Sequence, residues 1–355
     1  EQLRLRRHQR VAGFCASVNM TTAALDRHYS SSQHRERYER VARLMPAVEW
    51  DAHYELVAAV DALKHERNAV ILAHNYQRPE VYHGVADFCG DSLELARYAA
   101  RATADVIVLC GVRFMAETAK LLAPDKTVLL PDAAAGCSLA ESITPADVRA
   151  LRARHPGVPV VCYVNTSAAV KSECDACCTS SNAQAVVESL GAPEVIFVPD
   201  EYLAAHVAAH TSVRIIPWQG HCEVHERFTG QEVREYRNAS QAYVLAHPEC
   251  PGDVLDAADF VGSTSAMIAT LERQQPPRAM LITECSMADN ISSNFPDIQF
   301  LRPCNLCPHM QRITLASVRT SLERLSLAIE IPDEIAAGAR RAVQRMLELG
   351  RTRAS

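Results

Sequence analysis

"TVLLPDAAAGC" (127–137), "SVRIIPWQGHC" (212–222) and "DIQFLRPCNLC" (297–307) are three stretches of equal length. Each opens on an apolar, β-prone run, passes through a turn containing Pro or Gly, and ends on a cysteine. Cys137, Cys222 and Cys307 are therefore spaced 85 and 85 residues apart. Self-similarity at a fixed period is the mark of an internal repeat, and it sets the fold before any single element is considered.

The rest of the unit repeats as well. A first strand is read at "NAVILAHNY" (68–76), "VPVVCYVN" (158–165) and "AYVLAHPE" (242–249). Each ends on a polar pair: His74 and Tyr76, Tyr163 and Asn165, His247 and Glu249. A turn rich in Ser, Thr, Gly and Asp then opens a helix, in "DFCGDSLELARYA", "CCTSSNAQAVVESL" and "DFVGSTSAMIATL". A second strand follows in "DVIVLCG", "EVIFVPD" and "AMLITEC", and a further helix or loop leads to the third strand and its cysteine. The expectation is an α/β fold of three similar β-α-β-α-β three-layer domains related by pseudo-threefold symmetry. The boundaries expected are an N-terminal extension, partly disordered, over 1–50, repeats over 51–137, 138–222 and 223–307, and C-terminal helices over 308–355. Helical sequence also precedes the repeats, from about 34 to 66. In parallel sheets function gathers outside the carboxyl ends of the strands, where the polar pairs and the three cysteines fall.

Composition limits the function classes. The 355 residues are 48% hydrophobic and 22% charged, as in a globular chain with room for two or three domains. A net charge of −6 argues against nucleic acid as a partner. No apolar run reaches the ~18 residues that cross a membrane. The first twenty residues are basic and then apolar, as in a signal peptide, but the apolar part is short and broken by Gly13 and Ser17. The chain opens on Glu1, and Met20 is a candidate natural start. Thirteen cysteines, an odd number in a long chain, fit metal or thiol chemistry in the cytoplasm better than a disulfide framework. Cys89, Cys110 and Cys162 read as small buried hydrophobes within strand-like runs.

Three thiolates from three domains admit two metal readings. Structural zinc sites draw on close C-x₂₋₄-C knuckles, and Cys304 is the only such neighbour here. An iron–sulfur cluster suits soft thiolates, and a [4Fe–4S] cluster on three cysteines leaves one iron open as a Lewis acid. Glu249 would serve beside it as general acid or base, with Tyr76, Tyr163, His74 and His247 donating or relaying protons. The helix-opening pairs Asp91-Ser92, Ser180-Ser181 and Ser263-Thr264 read either as plain N-caps or as anion sites.

Long motifs then resemble quinolinate synthase. They include "AHNYQRPEV", "ADFCGDSLELA", "GVRFMAETAKLL", "YVNTSAAVKSECDACCTSSNA", "PWQGHCEVHERF", "AHPECPGDVLDAADFVGSTSAM", "TECSMADN" and "CPHMQRITL", from about residue 68 to 325. The resemblance implies condensation of iminoaspartate with dihydroxyacetone phosphate to quinolinate, phosphate and two waters, in NAD biosynthesis. It implies one [4Fe–4S] cluster per chain on Cys137, Cys222 and Cys307, central to the three domains. It implies catalytic roles for Tyr76, Glu249, His74, Tyr163 and His247. Substrate contacts would come from His74, Ser92, Tyr163, Asn165, Ser180, Ser181, His225, His247, Glu249, Ser263 and Thr264, with Phe114 and Met115 as walls. An aspartate-oxidising flavoenzyme is the expected functional partner; no membrane, nucleic acid or nicotinamide cofactor is implied. Some relatives carry C-x-x-C-x-x-C at the last cysteine site. Leu301 stands at the first position here, leaving Cys304 and Cys307 as a candidate redox pair. Cys177-Cys178 reads as structural. Rival readings are another cluster-dependent hydro-lyase, an iron–sulfur sensor and a zinc-bound structural protein.

Overall fold

A computed structural model describes residues 31–349 of the chain. The expectations for the first 30 residues, including Met20 as a start, lie outside the described residues. Residues 31–50 of the expected extension are largely helical, in the helices Ser31–Val41 and Ala47–Glu66. No helix among the described residues is long and apolar enough to cross a membrane.

Among the described residues, three four-stranded sheets follow in order. The first contains β1 (Ala69–His74), β2 (Phe88–Gly90), β3 (Val106–Cys110) and β4 (Thr127–Leu129). The second contains β5 (Val160–Tyr163), β6 (Ala176–Cys178), β7 (Glu194–Val198) and β8 (Arg214–Pro217). The third contains β9 (Tyr243–Ala246), β10 (Phe260–Val261), β11 (Arg278–Ile282) and β12 (Gln299–Leu301). Their spatial orders are β2-β1-β3-β4, β6-β5-β7-β8 and β10-β9-β11-β12, the same permutation three times. Every pairing is parallel.

The unit therefore has four strands, not the three of a β-α-β-α-β reading. The extra strands β2, β6 and β10 lie in the stretches taken as helix-opening turns, and are only two or three residues long. Too short to show a period, they are fixed by pairing. The same device recurs beside each. An aspartate just before the short strand accepts a hydrogen bond from the backbone at the start of the unit's first strand. Ile71 N donates to Asp87 Oδ2 at 2.8 Å, Val160 N to Asp175 Oδ2 at 2.7 Å, and Val244 N to Asp259 Oδ2 at 2.9 Å. Each aspartate returns its own N–H to the carbonyl of the same residue at 2.9 Å, and each pairs with a cation: Lys64, Arg152 and Arg237 respectively. Three such matches tie the units together as repeats independently of the cysteines.

The strands read as continuous apolar runs because both faces of each parallel sheet are covered. In the third sheet Val244, Ala246, Met280 and Ile282 belong to one buried cluster, and Leu245, Ala279 and Leu281 to another. That alternation is the period-2 side-chain direction of a strand between two helical layers. Helix starts are set by local chemistry: Asp91 and Glu94 form a reciprocal capping box, as do Thr144 and Asp147 with Pro145 in the first turn.

The C-terminal helix Asp333–Leu349 packs on the helix Ala168–Ser172 and on β6. Asn182 Nδ2 donates to Met346 O at 3.0 Å, tying this helix to the turn after β6. The close crossing requires Gly338, where an added Cβ would lie 2.8 Å from the Ser172 carbonyl oxygen. Gly338→Ala gains about 1 kcal/mol of helix propensity, but its methyl must push backbone aside at a cost of about 1–3 kcal/mol. The expected net result is a melting temperature lower by a few degrees in calorimetry. An unchanged or higher one would show that the crossing is not tight.

Candidate active site

The carboxyl ends of β1, β5 and β9 open onto one cavity of about 720 Å³, part of it continuous with solvent. From the strand ends it is lined by His74, Tyr76, Tyr163, Asn165, His247 and Glu249. The turns beyond the short strands add Ser92, Ser180 and Thr264, and Phe114 and Met115 form a wall. Cys137, Cys222, Cys307 and His225 complete the set. Two expected contacts sit otherwise. Ser263 caps the helix Thr264–Gln274 by accepting from Ala266 N, and Ser181 donates to Asp91 Oδ2 at 3.0 Å. Neither lines the cavity.

A hydrogen-bonded chain crosses the floor. Tyr163 OH donates to Glu249 Oε1 at 2.5 Å, and His225 Nδ1 meets Glu249 Oε2 at 3.0 Å. His225 Nε2 meets Thr283 Oγ1 at 2.9 Å, and Thr283 Oγ1 shares a 2.6 Å hydrogen bond with Tyr76 OH. Burial pushes the Glu249 carboxyl upward, but His225, His247 and the Tyr163 hydroxyl outweigh it and hold the acid well below the usual carboxylate range. Burial, then the Glu249 charge, raises both phenols well above the ordinary tyrosine value, so Tyr76 and Tyr163 stay protonated as donors.

The first and third units orient their histidines alike. Tyr76 N donates to His74 Nδ1 at 3.2 Å, and Glu249 N donates to His247 Nδ1 at 3.4 Å. An accepting Nδ1 places the ring proton on Nε2 in both. Burial pushes His74 down to about 4 and His247 down to about 3, so both are neutral near pH 7.

Sequence reasoning missed several lining or supporting groups. Thr283 is fully buried and joins Tyr76 to His225. Glu284 lines the cavity, with burial lifting its carboxyl to about 7 against the backbone N–H groups of Cys307 and Ser286. Both sit at the end of β11 in "TEC", a strand-end position equivalent to those of the polar pairs, and that position was the available signal. Lys171 is buried and donates from Nζ to Val164 O at 2.7 Å and to Thr166 O, bracing the turn that carries Asn165. Asp91 gathers the three units. Its Oδ1 caps its own helix through Leu93 N and Glu94 N, while Oδ2 accepts from Ser181 and from Ser265 at 2.9 Å.

Cys137, Cys222 and Cys307 are free thiols facing the same space. Burial raises Cys137 to about 12, Cys307 to about 11 and Cys222 well above the ordinary thiol value. Such thiols ionise when a cation is bound, which suits a ligand set rather than free nucleophiles. The donor chemistry fits a thiolate-held group. Cys222 also forms, with His225 and Glu249, a trio whose donor atoms all lie within 4.8 Å of one another. The expected Cys304–Cys307 pair is corrected: Cys304 is bonded to Cys285, with Cα atoms 5.0 Å apart. A parallel bridge between Glu284 and Asn305 aligns the two segments and sets Cys304 beside Cys285, while Cys307 N turns to Glu284 Oε1 at 3.2 Å. Cys177 and Cys178 are buried on β6.

The model of the family described as "Quinolinate synthetase A protein" matches residues 58–348. A quinolinate synthase of Agrobacterium fabrum is 61% identical over 313 residues, covering 88% of this chain and 91% of that protein. Quinolinate synthase 2 of Mesorhizobium japonicum is 62% identical over 311 residues, covering 87% and 96%. A quinolinate synthase of Xylella fastidiosa is 61% identical over 294 residues, covering 82% and 87%.

A buried neutral histidine makes stability depend on pH. His74 has a folded value of about 4, below its unfolded value of about 6.5. The unfolded chain therefore binds the extra proton first, and stability falls as pH drops below about 6.5 and continues to fall to about 4. Denaturant unfolding at pH 7.5 and pH 5 should show this loss, with a shallower decline in His74→Gln. An equal slope in the variant would mean that His74 is not held neutral.

Proposed function

The chain belongs to the quinolinate synthase family and is an enzyme of quinolinate formation for NAD biosynthesis, and from this we propose the reaction and the residues that carry it. Iminoaspartate and dihydroxyacetone phosphate condense to quinolinate, phosphate and two waters. One [4Fe–4S] cluster per chain is held by Cys137, Cys222 and Cys307, central to three domains in pseudo-threefold arrangement with the boundaries expected from the repeat. The observation that carries the reading is the meeting of those three thiols with Tyr76, Tyr163 and Glu249 around one cavity. When bound, the cluster supplies an open iron that polarises a substrate oxygen.

The other roles fall to the chain. The cavity opens to solvent, so small substrates reach the strand ends that line it. Ser92, Ser180 and Thr264 offer hydroxyls to substrate carboxylates or phosphate, and Asn165 orients the carbon skeleton. Phe114 and Met115 exclude water from one wall. His74 and His247, neutral with the proton on Nε2, donate hydrogen bonds without adding charge. Glu249, ionised between Tyr163 and His225, fixes both groups and offsets positive charge beside the reacting atoms. Tyr76 gives a proton to the departing hydroxyl and is recharged through Thr283 from His225. Glu284, half-ionised near pH 7, is a second acid on the same cavity.

The enzyme acts in the cytoplasm, where Cys137, Cys222 and Cys307 stay reduced. An aspartate-oxidising flavoenzyme supplies the imine.

Anaerobic purification should give about four irons per chain, lost in Cys137→Ser, Cys222→Ser or Cys307→Ser and kept in Cys304→Ser. The wild type should form quinolinate and phosphate in equal amounts. Iron retained without Cys137, or product without phosphate, would overturn the reading. Thr283→Val should lower kcat by about 100-fold with iron content unchanged, and Thr283→Ser should restore most of it. Equal rates in both variants would remove the relay.

A further inference from the structure

The trio on the cavity floor has the geometry of a metal site in its own right. His225 Nδ1 lies 3.1 Å from Cys222 Sγ and 3.0 Å from Glu249 Oε2. All three donor atoms fall within 4.8 Å of one another. The two separations at His225 are a little under the edge of about 3.3–3.8 Å of a tetrahedron whose centre is about 2.0–2.3 Å from each donor, and small side-chain shifts would open them to it. Thiolate, imidazole and carboxylate together form a borderline set that suits zinc among divalent ions. An ion at the centre would displace the hydrogen now shared around His225 Nδ1.

The surroundings support each ligand. His225 Nε2 is held by Thr283 Oγ1 at 2.9 Å, which fixes the ring with Nδ1 toward the trio. Glu249 Oε1 accepts from Tyr163 OH, which leaves Oε2 for the ion. Outer partners of this kind orient metal ligands and tune their affinity. Cys222, His225 and Glu249 all line the cavity, so a fourth position faces its interior. Three protein ligands with one open position is the arrangement of an exchangeable zinc site rather than a closed structural one.

We propose that the cluster-free protein binds one zinc-class divalent cation at Cys222, His225 and Glu249. Cys222 is also one of the three thiols assigned above to the iron–sulfur cluster, so the cation and the cluster exclude one another. This exclusion rests on the proposed function; the cation site does not. The cation would sequester His225 and Glu249 as well as Cys222, and so act as a block to cluster loading.

The test uses the cluster-free full chain, titrated anaerobically with zinc chloride against a chelator, and with cobalt(II) as a spectroscopic probe. One zinc per chain is expected, and the cobalt spectrum of the wild type should carry the charge-transfer band of one thiolate rather than three. Cys137→Ser and Cys307→Ser should keep wild-type zinc affinity. Glu249→Gln and His225→Gln should weaken it by about 10-fold or more. A three-thiolate cobalt band, loss of zinc in Cys137→Ser or Cys307→Ser, or unchanged affinity in both pocket variants would overturn the site. The cobalt measurement needs no variant and so does not depend on any mutant folding. Iron and sulfide loading with one equivalent of zinc present should then fail in the wild type and succeed in Glu249→Gln; loading of both proteins alike would overturn the exclusion. If no protein takes up iron while the zinc results hold, the cluster assignment falls and the cation site stands.

Discussion

The site depends on a carboxylate that is almost fully buried. Glu249 is 4% exposed and yet held in its ionised form. A buried charge without partners is too costly to keep. Its partners come from separate parts of the chain: Tyr163 from the end of β5, His225 from the loop after β8, and, through His225, Thr283 from the end of β11 and Tyr76 from the turn after β1. No sheet alone satisfies the acid. The units must dock in one relation to one another for this chain to close, and the same docking brings Cys137, Cys222 and Cys307 to the same cavity.

A second junction works in the same way at the helix starts. Asp91 accepts from the first unit's own backbone and from serines of the second and third, Ser181 and Ser265. It uses the hydroxyls and N–H groups that the repeat would otherwise offer to an anion. The three equivalent turns have thus diverged. Ser92, Ser180 and Thr264 face the cavity, while Ser181 and Ser263 hold the framework. Asn290 adds to this joint by donating to Asn75 O at 3.0 Å and Gln77 O at 2.7 Å, and Asn75 in turn donates to Thr264 Oγ1 at 3.0 Å. Repetition supplies the scaffold; the asymmetry of a few polar side chains makes it a site.

The sequence by itself determined the repeat, the parallel α/β class and the strand-end pairs, because these are carried by local patterns. Apolar runs of strand length, turn residues and equal cysteine spacing need no knowledge of docking. The strand-end groups His74, Tyr76, Tyr163, Asn165, His247 and Glu249 were legible for that reason, since the pleat and the parallel direction dictate where a strand's carboxyl end points. Tertiary structure alone decided the rest. The strands β2, β6 and β10 exist because a neighbour pairs with them, and two or three residues carry no period of their own. Cys304 pairs with Cys285 rather than with its sequence neighbour Cys307 because β11 and β12 run side by side, and that alignment outranks a two-residue gap. Thr283 and Glu284 gained their places when the third unit's strand end met the first unit's tyrosine and the last cysteine. The ionisation of Glu249 and the neutrality of His74 and His247 were decided there too, because burial and partners, not residue type, set which form a group holds.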